Sequence, residues 1–176
     1  MVYNFSKDID YHTQRNNKVI PLGSCGTTSM VMALKQAGID LESPKKNQQP
    51  EDYLTELLSG EKAVEQMRHL ASWAFDRNGE AVYPPNEVHV MLEWVVNEIT
   101  QVGVDRFSTS FSIEEICEHL LNHGGVVLSG FFPVDTGDLN HMVNLAGFIY
   151  DNEAKIPIDV EKIKSFIIGF LTQIGA

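Results

Sequence analysis

The sequence predicts an α+β fold, helices first and sheet second, from three observations. Apolar residues recur at helical spacing from Cys25 to about Leu121, whereas from Gly125 to about Val160 they form short runs of strand type. The two patterns meet at Gly124–Gly125, a helix stop. The 176 residues, 43% hydrophobic and 21% charged, suit one globular domain over 1–176 with a sizeable core.

Each element has its own signal. The opening MVYNFSKDIDYH lacks a basic stretch followed by an apolar core, so no cleavable signal is expected and a cytoplasmic location is the expectation. Gly26–Ala37 carries Met30, Val31, Met32, Ala33 and Leu34, apolar nearly all round, and Gly38 ends it: a short helix buried at the centre. Ser43–Pro50 (SPKKNQQP) is polar and Pro-bounded and reads as a surface loop. Ala63, Met67, Leu70 and Ala74 keep amphipathic spacing. So do Val88, Met91, Leu92, Val95 and Ile99, behind the helix-starting Pro84–Pro85. Ser112 and Glu115 form a capping box ahead of Ile113, Ile116, Cys117, Leu120 and Leu121. Val126–Phe132 and His141–Ile149 read as strands around a loop, PVDTGDLN. Lys155–Asp159 is a third strand, and Val160–Ile174 a helix with Ile163, Phe166, Ile167 and Phe170 inward.

Charge and missing motifs remove several functions. Acidic residues exceed basic ones by 11, and a surface this negative repels phosphate backbones and anionic lipid, so neither nucleic acid nor membrane is an expected partner. No apolar run reaches the ~18 residues that span a bilayer. Two cysteines make no disulfide framework. No glycine-rich phosphate motif is present, and Ser129 lacks the glycine-flanked elbow of serine hydrolases. His119 and His123 stand four apart near Glu115 and Glu118, but a solvated helix face explains them. Neither metal nor cofactor is expected.

Two residues stand out for chemistry. Cys25, in Gly23-Ser24-Cys25-Gly26, falls at the start of the apolar helix, where unpaired N–H groups favour a thiolate. The glycines on either side would let a substrate backbone approach. A packed small hydrophobe is the alternative for any cysteine, and Cys117, on an apolar stripe, is read that way. A nucleophilic cysteine needs a base. His141 opens a strand after a loop, where its ring can project from a sheet edge; an ordinary surface histidine is the alternative.

Two blocks together carry a resemblance. Tyr11-His12-Thr13-Gln14 with Ser24-Cys25-Gly26-Thr27-Thr28-Ser29, then Gly125–Phe131 with Asn140-His141-Met142-Val143-Asn144-Leu145-Ala146-Gly147-Phe148, resemble the papain-like cysteine peptidases. The nearest branch is that of the bacteriocin-processing, double-glycine-leader peptidases and their stand-alone relatives in phage and Gram-positive genomes. The resemblance covers roughly Tyr11–Leu34 and Gly125–Ile149 and implies a papain-like fold. It implies Cys25 as nucleophile, His141 as general base and Gln14 as oxyanion donor, acting on a peptide or protein substrate. For the residue that orients His141 it implies an Asp on the following strand. Asp159 fits, although Val160 stands where the family has Pro and Asp159 equally suits the N-cap of the last helix; Asp151 is its rival. Thr27 replaces a common Pro, and Asn140 the usual Gly before His. The expectation is a cysteine peptidase working through an acyl-enzyme. An amidase or transglutaminase-like acyl transferase, or a silent peptide-binding module, is the alternative on the same framework.

Overall fold

The computed structural model describes residues 2–4, 12–100, 111–122, 125–134, 137–145 and 147–149. Its central helix, α1 (Cys25–Gln36), follows the apolar run and ends as the glycine demands. Gly38 takes a φ of 78°, and Gly38 N–H and Ile39 N–H bond back to Lys35 O and Leu34 O at 3.0 and 2.8 Å, a Schellman closure. The helix also buries Thr27, Thr28 and Ser29, so its N-terminal half buries hydroxyls, each hydrogen-bonded, as well as apolar side chains.

The polar octapeptide before α2 (Pro50–Leu58) is a loop as far as Gln49, but its final proline opens that helix. Pro50 suits the first helical turn, where its missing N–H costs nothing, and Glu51 and Asp52 follow at the positive end of the helix dipole. Leu54 and Leu58 are fully buried. Next, α3 (Glu61–Leu70) buries Ala63 and Met67, then breaks at Ala71 (φ −141°, ψ 58°) into a single 3-10 turn, Ser72–Ala74. The expected helix through Ala74 is therefore shorter. Pro84–Pro85 likewise begins a separate 3-10 turn, Pro85–Glu87, and α4 (His89–Thr100) starts after it. The capping box forms as the sequence requires at the head of α5 (Ile113–Asn122). Ser112 N–H donates to the Glu115 carboxylate at 2.7 Å, and Glu115 N–H to Ser112 Oγ at 3.2 Å.

The strands are β1 (Val2–Asn4), β2 (Val126–Val134), β3 (Gly137–Leu145) and β4 (Gly147–Ile149). β2 and β3 pair antiparallel from Val126↔Leu145 to Val134↔Gly137, and β1 pairs antiparallel with β4. This corrects the expected loop PVDTGDLN: its two ends are strand, so His141 lies in the middle of β3 rather than at its start. Asp138 and Asn140 gave a loop pattern because backbone pairing does not require apolar side chains. The expected strand His141–Ile149 is divided between the two sheets. The expected strand Lys155–Asp159 and helix Val160–Ile174 lie outside the described residues.

These elements make an α+β arrangement. The main core joins Val31 and Leu34 of α1 to Leu54, Leu58, Met67, Met91, Leu92, Val95 and Val96, with Met142 entering from β3. Cys117 and Leu120 of α5 form a second cluster with Val126 and Leu145 on the other face of the hairpin. Among the described residues no helix is long and apolar enough to cross a membrane.

Candidate active site around Cys25

Cys25 is the first residue of α1 and is half-buried. The chain on both sides of it is fixed by buried amides. Asn86, 2% exposed, donates its Nδ2 to Gly23 O at 2.6 Å, while its own carbonyl oxygen lies 2.8 Å from where a Cβ on Gly26 would stand. Met142 Sδ and Leu92 Cδ1 crowd the same position at 2.9 and 3.1 Å. Gly26 is therefore buried for packing. This corrects the expectation that the flanking glycines open the thiol to a substrate backbone, since at Gly23 too a Cβ would meet a neighbour, Ile20 Cγ2, at 2.9 Å. Asn17, also buried, donates Nδ2 to Ser24 Oγ at 2.7 Å and to Thr28 Oγ1 at 3.0 Å, tying the preceding loop to the first turn of α1.

That loop carries Gln14, which begins a 3-10 turn, Gln14–Asn16, and is half-buried. Through Asn17 the chain after Gln14 folds back on the start of α1. Asp52, at the head of α2, then takes two main-chain donors on one oxygen, Lys18 N–H and Val19 N–H, both at 2.8 Å. Glu51 beside it is 1% exposed and meets His12 Nδ1 at 3.1 Å. Buried carboxylates are tolerated here because the helix N-terminus and these donors face them. Ile20 follows with a φ of 48°, uncommon for a β-branched residue and doubly so before a proline. The turn Ile20–Gly23 closes with Gly23 N–H on Ile20 O at 3.0 Å and throws Leu22 into solvent, 92% exposed.

His141 is half-buried in β3, opposite Gly130, and burial pushes its pKa below the ordinary histidine range. β3 lies against α1: Ser29 Oγ donates to Met142 O at 3.1 Å and Gln36 Nε2 to Leu145 O at 2.9 Å. Met142 Sδ packs on Gly26. Met142 faces the α1–α4 core and Leu145 the α5 cluster, as strand alternation requires. The same alternation sets His141 on the Leu145 face, opposite the face that carries Met142.

Asp159 and Asp151 lie outside the described residues, as does His123; His119 is half-buried on α5. Among the described residues no three His, Cys, Asp or Glu side chains gather as a metal site would. Cys117 is buried, and burial together with Glu114 raises its thiol pKa. Asn17, Asp52 and Asn86 escaped the sequence reading. Each is a polar residue in or beside a loop, and only its burial marks it. Comparison with protein-family models, curated proteins and solved structures finds no match to this chain.

Proposed function

We propose that this chain is a papain-like cysteine hydrolase that cleaves peptide bonds through a Cys25 acyl-enzyme. The observation that carries the reading is the partly exposed Cys25 at the first position of α1, with Met142, the neighbour of His141 on β3, packed on Gly26 of that same turn. A helix N-terminus stabilises negative charge on sulfur, and the free N–H groups of the first turn face a developing oxyanion. In the reaction, the Cys25 thiolate attacks the carbonyl carbon, and the oxyanion takes hydrogen bonds from the Cys25 N–H and the Gln14 side-chain amide. His141, as imidazolium, gives its proton to the leaving amine; water then gives a proton to His141 and its oxygen to the acyl carbon, releasing the acid and restoring the thiol pair. Desolvation of His141 favours the neutral ring, the form that can act as base near neutral pH. Asp159 is assigned to orient that ring.

A second reading, a peptide-binding module without turnover, draws on one observation: Met142 rather than His141 faces Gly26. Cleavage of an unstructured protein mixture, read by mass spectrometry for new termini, separates the two. New termini from the native chain that vanish with Cys25→Ala are expected. Cleavage that persists in Cys25→Ala, or none from the native chain, rejects the hydrolase.

A further inference from the structure

We propose that the cleft where the α2–α3 corner meets α4 binds a small organic amine, a protonated ammonium group carried on an apolar body, with Trp94, Glu98 and Glu61 as the residues that recognise it. The cleft holds about 420 Å³. That falls within the range of about 300–1,000 Å³ typical of small-molecule sites and suits one such molecule. None of its lining residues belongs to the surroundings of Cys25, so amine binding does not depend on peptide cleavage.

The walls select the ligand. Leu57 of α2 and Trp94 and Ile99 of α4 are only partly buried by the core, so each keeps apolar surface for the cleft. Three carboxylates, Glu56, Glu61 and Glu98, stand around that surface against one ammonium, Lys62. This excess, within a chain of net charge −11, turns anions away and draws cations in. The molecule itself shows how a cation is held there. Lys62 Nζ lies 5.5 Å from the centroid of the Trp94 ring, within cation–π reach, and 2.7 Å from Glu98 Oε2. Trp94 and Glu98 are one helical turn apart on α4, so ring face and carboxylate serve the same ammonium. Lys62 is a stand-in that gives way easily. Its side chain is 75% exposed and that of Glu98 48%, and an ion pair so open to water is weak. Glu56 is engaged by Lys45, whereas Glu61 makes no ion pair among the described residues and adds a second counter-charge. An incoming amine takes the place of the lysine head over Trp94 and, unlike water, buries its apolar body on Leu57 and Ile99.

Trp94 is its own reporter. The chain has two tryptophans, and Trp73 is exposed, so Trp73→Phe leaves Trp94 as the single emitter without touching the core. Phenylbutylamine, titrated at low salt, should shift the Trp94 emission saturably. Phenylbutanol, which lacks the charge, phenylbutyrate, which reverses it, and spermidine, which lacks the apolar body, should each bind about tenfold more weakly or worse. Lys62→Met removes the competing head and should tighten the amine about threefold, the size of one exposed cation–π contact. In the Lys62→Met background, Glu98→Gln and Glu61→Gln should each weaken the amine about threefold and leave the alcohol unchanged. Calorimetric titration of the native chain should rank the four ligands in the same way. An alcohol as tight as the amine would reduce the cleft to an apolar surface, and spermidine as tight as the amine would reduce it to diffuse acidic charge; either result overturns the proposal. So does Lys62→Met that leaves amine binding unchanged or weaker, because the lysine head then occupies no ligand position.

Discussion

At the scale of single residues, buried polar side chains do the positioning. Asp52 Oδ1 takes both Lys18 N–H and Val19 N–H, and Asn86 and Asn17 fix the two sides of Cys25. Asp52→Ala strands two main-chain donors next to a loop that is already strained at Ile20. A loss of about 1–3 kcal/mol is expected, the usual penalty for an unsatisfied buried group. Asp52→Asn keeps an oxygen in the same place and should lose less than half as much, by urea denaturation. Equal losses would mean that the carboxylate charge, not the bonds, holds the loop. None of these three residues was legible in the sequence. The place of Cys25 at the start of α1 was, because a glycine-flanked residue before an apolar helix is a local pattern, whereas a buried asparagine in a loop has no periodicity to betray it.

At the scale of elements, the helices that bury a regular stripe were readable, and so was the Ser112–Glu115 box, which depends on residues three apart. Three features were not. Pro50 reads in the sequence as the end of a loop but is the start of α2; Leu54 and Leu58 behind it, fully buried, are the signal that marks the helix. The pairing of β1 with β4 joins opposite ends of the described chain, and a non-local pairing leaves no mark in three residues. The hairpin is longer than its apolar runs because Asp138 and Asn140 pair through their backbones. The junction of hairpin and α1 turns on Gly125, whose φ is 68° and whose missing Cβ would sit 2.4 Å from Ala33 O. Gly125→Ala should therefore cost about 1–3 kcal/mol or more, from overpacking against an immovable carbonyl and left-handed strain. Gly130→Ala, with nothing within 4 Å, should be nearly neutral. Urea midpoints of the two variants provide the comparison, and equal midpoints would mean that the hairpin is not seated on α1 as described.

At the scale of the whole molecule, burial of histidines ties stability to pH. His89 at the start of α4 and His141 in β3 both have pKa values lowered by desolvation. Below the ordinary histidine value of about 6.5 the unfolded chain therefore binds more protons than the folded one, and stability falls as the pH drops. Above that value the contribution is fully present. Urea unfolding between pH 8 and pH 5 should show the midpoint level at first and then declining. His89→Gln should flatten part of the decline, and a slope unchanged by that substitution would place the acid sensitivity elsewhere. The α+β class was legible at this scale from the order of patterns alone. The relation of His141 to Cys25 was legible only as an order along the chain, because the face a strand residue takes depends on register, which the partner strand sets.

The central claim is that Cys25 and His141 act as one reactive pair, and the rate of Cys25 alkylation by iodoacetamide at pH 7 tests it most directly. With the pair intact, His141→Ala is expected to slow Cys25 about tenfold or more, the thiolate having lost its basic partner, while buried Cys117 stays slow in both proteins. A Cys25 rate that is the same with and without His141, or no faster than that of Cys117, would contradict the pair.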